Sequence, residues 1–478
     1  MKFSFDSFDF SNFKWSDIFS RGVAFPKLTI GNKTATVPIV QGGMGVGISA
    51  SRLAAAVAEE GGIGVIAANA IGMLEDDYYK NGIEANMRAL RSEIRKARKA
   101  TDGIIGVNIM VALNDFHNML QVSIEEKVDV VFLGAGLPLK GIPVEALREA
   151  GVAIVPIVSS AKAVQLIFRF WQKKYNDIPD GVVLEGPKAG GHLGYKLEQI
   201  DDPAFALEAV LPTIVEALKP FENASEKEIP VIAGGGVFSG SDIQQTLSGG
   251  ASAVQMGTRF VATVECDADE GFKQSFVNAK QEDVVLIKSP VGMPGRAIRN
   301  QFLTDLENGA KKFFKCPYKC LASCGAEKAQ YCISLALDNA RQGKMNHGFA
   351  FAGVNAYKID KIVTVKELIA ELKVGYAESC ETTFTRIKDE YATAMERFAE
   401  IKQEYGHALD NGIEALKSEY DKISEMGASD YFDDKIQALE TIENMKKNYA
   451  EAQEYIQELM EQMQQFMDNT SPALFPSN

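Results

Sequence analysis

The chain has 478 residues, of which 46% are hydrophobic and 24% charged, and its formal net charge is −14. Residues 381–478 hold 21 Asp and Glu against 9 Lys and Arg, so the acidic excess lies in the tail and a basic nucleic-acid-binding face is not expected. No apolar run reaches the ~18 residues that span a bilayer, and the first residues lack a secretory signal. Six cysteines in a chain of this length do not indicate a secreted disulfide framework. We therefore expect a cytoplasmic protein that binds neither nucleic acid nor membrane.

Eight short, β-branched apolar runs follow in chain order, and helix-like stretches such as 49–61 and 240–250 separate most of them. The runs are residues 37–43, 62–68, 104–110, 129–136, 153–158, 181–187, 229–236 and 253–260. Such an alternation is typical of a parallel sheet that is covered on both faces. Eight units predict an α/β fold, a (β/α)8 TIM barrel, and a doubly wound open sheet is the alternative.

Polar residues and glycines stand where the predicted strands end, which in a barrel is a shared rim. They are Gln41–Met44, Asn108, Glu185–His192, Gly234–Gly236 and Gln255–Thr258. Adjacent glycine turns after strands 7 and 8 are typical of a phosphate site, and they predict a phosphorylated cofactor. The chain has no GxxxxGK[ST] loop and no GxGxxG that opens a βαβ unit, which argues against ATP and against a Rossmann-bound dinucleotide.

His192 is one of four histidines, and it follows Gly190 and Gly191 just after the sixth strand. Paired glycines let the backbone approach a flat ligand, and an imidazole can move protons near neutral pH. A lone histidine is more often structural, but this position at the rim predicts a catalytic role.

The region 261–375 is predicted to hold a cap, at about 261–350, and the last barrel elements. Residues 289–300 are typical of a loop, and residues 363–372 of a closing helix. In that loop Arg296 and Arg299 are expected to be solvated charges, and contact with a nicotinamide phosphate or phosphopantetheine is the alternative. Four cysteines follow one another at Cys316, Cys320, Cys324 and Cys332. Without a CxxC pair the spacing favours small buried core residues, while a metal or iron–sulfur site and redox-active thiols stay open. On a helix, the first three would share one face.

The tail, from about residue 376, carries apolar residues at steps of three and four from Phe384 to Ile423, and again from Ile436 to Phe466. This periodicity predicts two amphipathic helices in an antiparallel hairpin with a turn at 426–434. The apolar stripe must bury against the other helix, the barrel or a second subunit, so homo-oligomerisation through this hairpin is one expectation.

Five stretches together resemble the nitronate monooxygenase family, once called 2-nitropropane dioxygenases. They are PIVQGGMGVGISASRLAAAVAEEGGIGVIAA, GVNIM, AGGHLG, IAGGGV and GASAVQMGTRF. The resemblance covers roughly residues 30–375 and is shared with the FMN-dependent enoyl-acyl-carrier-protein reductases. It implies a TIM barrel that holds FMN noncovalently at its rim, between an N-terminal extension (1–29) and the helical tail (376–478).

The resemblance also implies roles for individual residues. Gly43 and Met44 would lie along the flavin ring, Asn108 would bind it, and the backbone at Gly190 and Gly191 would approach it. The FMN phosphate and ribityl chain would be held by Gly235, Gly236, Gln255, Met256, Gly257 and Thr258. His192 matches the active-site base or substrate-orienting group. Two positions depart from the family pattern: Glu185 replaces a neutral amide that contacts the flavin, and Lys188 replaces a carboxylate.

The expected activity is the oxidation of alkyl nitronates with O2 to carbonyl compounds and nitrite, and no metal is expected in the catalytic site. The alternatives are an FMN-dependent enoyl-thioester reductase or an NAD(P)H:quinone reductase, which would use NAD(P)H in place of O2. A non-enzymatic alternative is an assembly protein that binds a partner through its acidic helical hairpin.

Overall fold

The computed structural model describes residues 24–316, 320–321, 324–325, 327, 329–423, 444, 447–462 and 465, without the side chains of 404–423. The chain divides into two compact units, one of Phe25–Tyr376 and one of Met1–Ala24 with Ala377–Asn478. Most of the predicted N-terminal extension and the whole predicted turn at 426–434 lie outside the described residues.

Eight parallel strands form a closed barrel in the larger unit. The barrel strands are β3 (Ile39–Gln41), β4 (Ile63–Ala67), β5 (Ile104–Met110), β6 (Val130–Gly134), β7 (Ala153–Val158), β8 (Val182–Glu185), β10 (Val231–Gly234) and β11 (Ala253–Met256). The numbering also includes five strands outside the barrel, which are β1 (Leu28–Ile30), β2 (Lys33–Ala35), β9 (Gly191–His192), β12 (Val284–Lys288) and β13 (Pro294–Ile298). The pairing of Val254 with Ile39 closes the ring between β11 and β3. The predicted TIM barrel is thus confirmed, and the open sheet is wrong.

Helices follow the strands along the chain. They are α1 (Ser51–Glu59), α2 (Gly82–Ala100), α3 (Phe116–Glu125), α4 (Val144–Glu149), α5 (Ala161–Tyr175), α6 (Leu207–Ser225), α7 (Gly240–Ser248), α8 (Thr258–Val261), α9 (Glu270–Val277), α10 (Gln301–Glu307), α11 (Ile333–Arg341) and α12 (Val365–Ile423). The strands are buried on both faces because helices cover one face and the barrel interior the other. This is why each strand appears in the sequence as a continuous apolar run.

The amino-terminal end of the barrel is filled by the antiparallel hairpin β1–β2. Leu28 and Ile30 are each 1% exposed and belong to the same core cluster as barrel residues such as Val65, Val130 and Phe132. This end is therefore a packed apolar core, and the opposite end is the one that remains for chemistry.

A second small sheet has the strand order β12–β13–β9. In β13 Gly295 pairs with His192, and Ala297 forms a bridge with Phe351. The sequence-based prediction of a loop over 289–300 is wrong for this strand. Four of its five residues are buried, and it pairs with β12 just before it as well as with the distant β9.

Helix α12 is longer than the predicted closing helix, since it runs without interruption from Val365 to Ile423. Gly375 does not end it, because this glycine meets Gly240 of α7 closely: a Cβ on Gly240 would lie 2.2 Å from the backbone nitrogen of Tyr376. The two elements approach backbone to backbone, which requires glycine.

In the smaller unit, residues 447–462 are helical and pack against α12. Ile456 and Leu459 form a cluster with Ala394, and the rings of Phe398 and Tyr449 are 4.9 Å apart. The predicted C-terminal helices are therefore present. Among the described residues, no helix is both long enough and apolar enough to cross a membrane.

Candidate functional site at the barrel mouth

Four neighbouring strands bring the predicted polar residues to the carboxyl-terminal rim. Glu185 of β8 pairs in register with Gly234 of β10, which pairs with Gln255 of β11. Met256 pairs with Gln41 of β3, and the N–H of Gly42 donates to the carbonyl oxygen of Met256 at 2.9 Å. The structure thus places Glu185, Gln255 and Met256 on one continuous arc of the rim.

Gly43 and Asn108 meet across the same rim. A Cβ on Gly43 would lie 2.5 Å from the Cβ of Asn108, so any other residue here would displace the asparagine. The side-chain amide of Asn108 points toward the carbonyl oxygen of Phe132 at 3.4 Å. Met44 follows in a turn in which its N–H donates to the Ser49 hydroxyl at 2.8 Å.

The predicted phosphate turns form a cradle at the ends of β10 and β11. Gly235 and Gly236 have φ angles of +98° and +112°, which L side chains rarely adopt. A Cβ on Gly257 would meet nothing within 4 Å, so the backbone there faces open space. The hydroxyl of Thr258 accepts a 2.9 Å hydrogen bond from the N–H of Gly353. Bare backbone with space beside it is what an anionic group requires.

Asn355 and Lys188 border this cradle. The side-chain amide of Asn355 donates to the carbonyl oxygen of Gly236 at 2.6 Å and so fixes that turn. The methylene chain of Lys188 lies beside Gly236, since a Cβ there would be 3.1 Å from the lysine Cβ and 3.2 Å from its Cδ. The lysine that departs from the family pattern therefore borders the glycines assigned to the phosphate.

Gly190 and Gly191 lead into the small sheet. A Cβ on Gly190 would lie 2.5 Å from the carbonyl carbon of Ala352, and Gly191 has a φ of +86°. Arg296 supports this segment from β13: its guanidinium donates to the carbonyl oxygens of Pro187 and Ala189, both at 2.7 Å.

Arg296 is only 6% exposed, so the interpretation of this residue as a solvated charge is wrong. Burial is the main cause that lowers its pKa, and the two carbonyl oxygens compensate for the lost water. Arg299, in contrast, is exposed and pairs with Glu307.

His192 is held from two sides by residues of distant segments. Its Nε2 lies 2.7 Å from the hydroxyl oxygen of Ser289, which is 3% exposed. Its ring stands edge-on to Phe351 with centroids 5.0 Å apart. Burial lowers the pKa of His192 to about 4, so the imidazole is neutral at neutral pH.

Glu185 has the opposite shift. Burial raises the pKa of its carboxyl to about 7, because a charged carboxylate loses its hydration there. The hydroxyl of Tyr195 donates to the backbone carbonyl oxygen of Glu185 at 2.7 Å, and among the described residues no cation pairs with the carboxyl. Near pH 7 much of this carboxyl is therefore protonated and neutral, like the amide it replaces in the family pattern.

Sequence reasoning missed Ser289, Phe351, Gly353 and Asn355. All four come from segments that follow the last barrel strand, and none stands beside a motif that indicated a site. The stretch GFAFAG at 348–353 carried a weak signal, since two glycines in an apolar run suggest a close backbone approach.

Comparisons with known proteins agree with this geometry. The sequence model of the family described as nitronate monooxygenase matches residues 28–375. A probable nitronate monooxygenase of Bacillus subtilis is 25% identical over 372 residues, which are 70% of this chain and 95% of that protein. A Mycobacterium tuberculosis (3aS,4S,5R,7aS)-5-hydroxy-7a-methyl-1-oxo-octahydro-1H-indene-4-carboxyl-CoA dehydrogenase is 28% identical over 274 residues, 57% of this chain, and the match spans 66% of the dehydrogenase.

Two solved structures are similar in fold. FabK from Thermotoga maritima has a TM-score of 0.57 and 29% identity, and the match covers 73% of this chain and 95% of FabK. A nitroalkane oxidase from Streptomyces ansochromogenes has the same TM-score at 24% identity, covering 73% and 98%, and at that identity it supports the fold alone. With a family match over most of its length and an intact barrel mouth, the chain belongs to the nitronate monooxygenase family of flavin-dependent oxidoreductases.

Proposed function

We propose that the chain binds FMN at the barrel mouth and oxidises alkyl nitronates with O2 to carbonyl compounds and nitrite. The observation that carries this proposal is His192, a partly buried imidazole that contacts Ser289 and Phe351 and is neutral near pH 7 because burial lowers its pKa to about 4. FMN, when bound, supplies one-electron chemistry. In balance, two nitronates and one O2 give two carbonyl compounds and two nitrite ions.

The residues at the mouth fit FMN. Gly43 and the Gly190–Gly191 pair offer bare backbone for the face and edge of a flat ring, and Asn108 offers an amide. Gly235, Gly236, Gly257 and Thr258 form the cradle for the terminal phosphate, and the methylene chain of Lys188 lies beside Gly236. Glu185 in its protonated form can donate a hydrogen bond to the ring, as a neutral amide would.

His192 acts on the substrate through hydrogen bonding and proton transfer, since at a pKa of about 4 it does not provide a charge for the nitronate. Ser289 engages Nε2, and within the described chain Nδ1 makes no hydrogen bond. Nδ1 can therefore hold a nitro oxygen when it carries the proton, or accept a proton from a neutral nitroalkane when it does not. Which tautomer is present depends on the direction of the bond with Ser289.

The test begins with the purified protein. Flavin released by heat and identified by chromatography should be FMN, and FAD would contradict the cradle assigned here. Nitronate-dependent oxygen uptake should accompany nitrite release at two nitrite ions per O2. A holoprotein that consumes no oxygen with any alkyl nitronate would refute the activity while leaving the cofactor assignment intact.

A second candidate is an NAD(P)H-dependent enoyl-thioester reductase. It is favoured by the 29% identity to FabK over 95% of that chain, and by the CoA thioester in the name of the M. tuberculosis relative. Rapid anaerobic bleaching of the flavin by NADH, followed by reoxidation with crotonyl-CoA, would support it. Reoxidation by quinones and not by thioesters would point to a quinone reductase.

A further inference from the structure

Four cysteines lie together between α10 and α11, outside the candidate flavin site. Cys332 is the N-cap residue of α11, while the described residues Cys316, Cys320 and Cys324 lie outside helices and regular strands. All four are thiols and are partly exposed. The expectation that they are small buried core residues is therefore wrong, and the described ones do not share a helix face.

Backbone hydrogen bonds bring the segments that carry the four cysteines together. The N–H of Lys312 donates to the carbonyl oxygen of Gln330 at 2.9 Å, so the segment before Cys316 lies beside the segment before Cys332. The N–H of Cys324 donates to the carbonyl oxygen of Leu321 at 3.2 Å, so Cys324 lies in a turn next to Cys320.

The start of α11 supplies favourable contacts for negative charge at the same place. Cys332 stands at the N-cap of this helix without a hydrogen bond to its side chain, and the Ser334 hydroxyl of the first turn is 3.9 Å from the sulfur of Cys320. The free backbone N–H groups and the positive end of a nine-residue helix stabilise an anionic, sulfur-ligated group. The sulfurs of Cys320 and Cys332 therefore both belong to the start of α11.

The surroundings are apolar and are anchored to the barrel mouth. Tyr331 and Ile333, the neighbours of Cys332, are buried in a cluster with Phe302 and Phe349. The carbonyl oxygen of Cys320 accepts a 3.0 Å hydrogen bond from the N–H of Asn114, in the loop that follows β5. The cysteine cluster thus lies at the same end of the barrel as the candidate flavin site.

A single metal ion does not fit this arrangement. Among the described residues no three His, Cys, Asp or Glu side chains are grouped as the ligands of one ion. Four cysteines on neighbouring segments that are not grouped this tightly suit a larger, polynuclear centre. Ligation by four cysteine thiolates is the usual form of iron–sulfur sites, which take one thiolate at each of several positions.

We propose that Cys316, Cys320, Cys324 and Cys332 ligate an iron–sulfur cluster. Binding of the assembled cluster breaks four S–H bonds, forms four Fe–S bonds and releases four protons to solvent, with no change in oxidation state. The partly exposed sulfurs give the cluster access to the surface, and the apolar side chains around Cys332 shield it from water.

The test is an anaerobic purification of the full chain from cells grown on ⁵⁷Fe, with reconstitution by ferrous and ferric iron and sulfide where occupancy is low. Mössbauer spectra and acid-labile sulfide report the cluster independently of flavin absorbance. We expect equal molar amounts of iron and sulfide, near four of each for a 4Fe–4S centre and two for a 2Fe–2S centre.

Single Cys→Ser variants at the four positions should each lose at least half of the iron and sulfide. Cys266→Ser is the matched control, because Cys266 is buried elsewhere and contacts the carbonyl oxygen of Ile48. It should keep both elements. Bound flavin shows whether each variant retains its barrel.

Anaerobic alkylation of the wild-type protein keeps the proposal testable if the variants do not fold. In the loaded protein the four thiols should resist iodoacetamide, and they should react after chelation of the iron. Overturning results would be zinc without sulfide, or reconstituted protein without stoichiometric iron, or four thiols that react equally before and after chelation.

Discussion

The two ends of the barrel are built from the same eight strands and differ in almost every other respect. At the amino-terminal end, Leu28 and Ile30 plug the core, and Asp129 pairs with Lys33 at 3.0 Å and Arg98 at 2.7 Å. At the mouth, glycine backbone replaces side chains, and neither His192 nor Glu185 takes part in an ion pair within the described chain.

This difference shows how the fold separates stability from chemistry. Charged groups at the closed end are paired, whereas the titratable groups at the open end have pKa values shifted by burial and no partner of opposite charge. Burial without a charge partner costs stability and gives reactivity. Substitutions at the closed end should therefore change the free energy of unfolding, and substitutions at the mouth should change activity or FMN binding.

The largest effect is expected from His192→Ala. If the imidazole transfers protons or orients the nitronate, kcat/KM should fall by about 10²–10⁴-fold, while the flavin content stays the same. Ser289→Ala, which removes only the partner of Nε2, should cost less and alter the pH profile at its acidic side. Oxygen-electrode assays across pH 3–9, which include the pKa of about 4 of His192, would check both. An unchanged rate in His192→Ala would remove the residue from the mechanism.

The closed end should respond in stability alone. Ile30→Ala deletes a side chain that is 1% exposed and should lower the free energy of unfolding by about 2–5 kcal/mol. The dissociation constant of FMN and kcat should stay at their wild-type values. Urea titration and flavin fluorescence on the same samples would test this, and weaker FMN binding would show that the two ends are coupled.

Two glycines with similar backbone angles, one at each end of the barrel, test the difference between the ends directly. Gly235 and Gly250 have φ angles of +98° and +103°, but Gly235 lies at the mouth and Gly250 precedes β11 at the closed end. Alanine at either position should cost roughly 1–3 kcal/mol of backbone strain.

Gly235→Ala alone should also weaken FMN binding, by about tenfold or more, since a tenfold change is 1.4 kcal/mol. Its added Cβ would lie 2.6 Å from the carbonyl oxygen of Gly186, whereas a Cβ on Gly250 has its nearest neighbour at 3.5 Å. Fluorescence quenching of FMN measures both variants. Equal losses of affinity would place the phosphate elsewhere.

The smallest effect concerns pH. Because the pKa of Glu185 is raised to about 7 in the folded chain from its ordinary value of 4.5, its contribution to stability is complete below pH 4.5 and is lost as the pH rises through 7. His192 acts in the opposite sense: its lowered pKa costs stability as the pH falls from 6.5 toward 4.

The window from pH 6.5 to 8.5 therefore isolates Glu185. There, wild type should lose roughly 1 kcal/mol more of unfolding free energy than Glu185→Gln, since one pKa unit corresponds to 1.36 kcal/mol. Denaturant midpoints at the two pH values give the difference. Identical slopes for the two proteins would mean that the carboxyl is ionised and hydrated at the mouth.

The barrel could be predicted from the sequence because each buried parallel strand is a local apolar run, and the rim residues because they follow those runs. The contacts of His192 with Ser289 and Phe351 could not be predicted. They depend on β13, whose sequence, with Pro294, Gly295 and Arg296, is typical of a loop. This strand forms a hairpin with β12. Its further contacts, with Phe351 and with the carbonyl oxygens of Pro187 and Ala189, come from distant segments that no local pattern reveals.

The β1–β2 hairpin at the closed end has a consequence for substrate access and product release. Packed side chains fill one end of the barrel, so a substrate of the proposed reaction would reach the site from the mouth. A product of that reaction would leave through the same opening, so we expect competitive inhibition by the carbonyl compound and a turnover rate limited by its release.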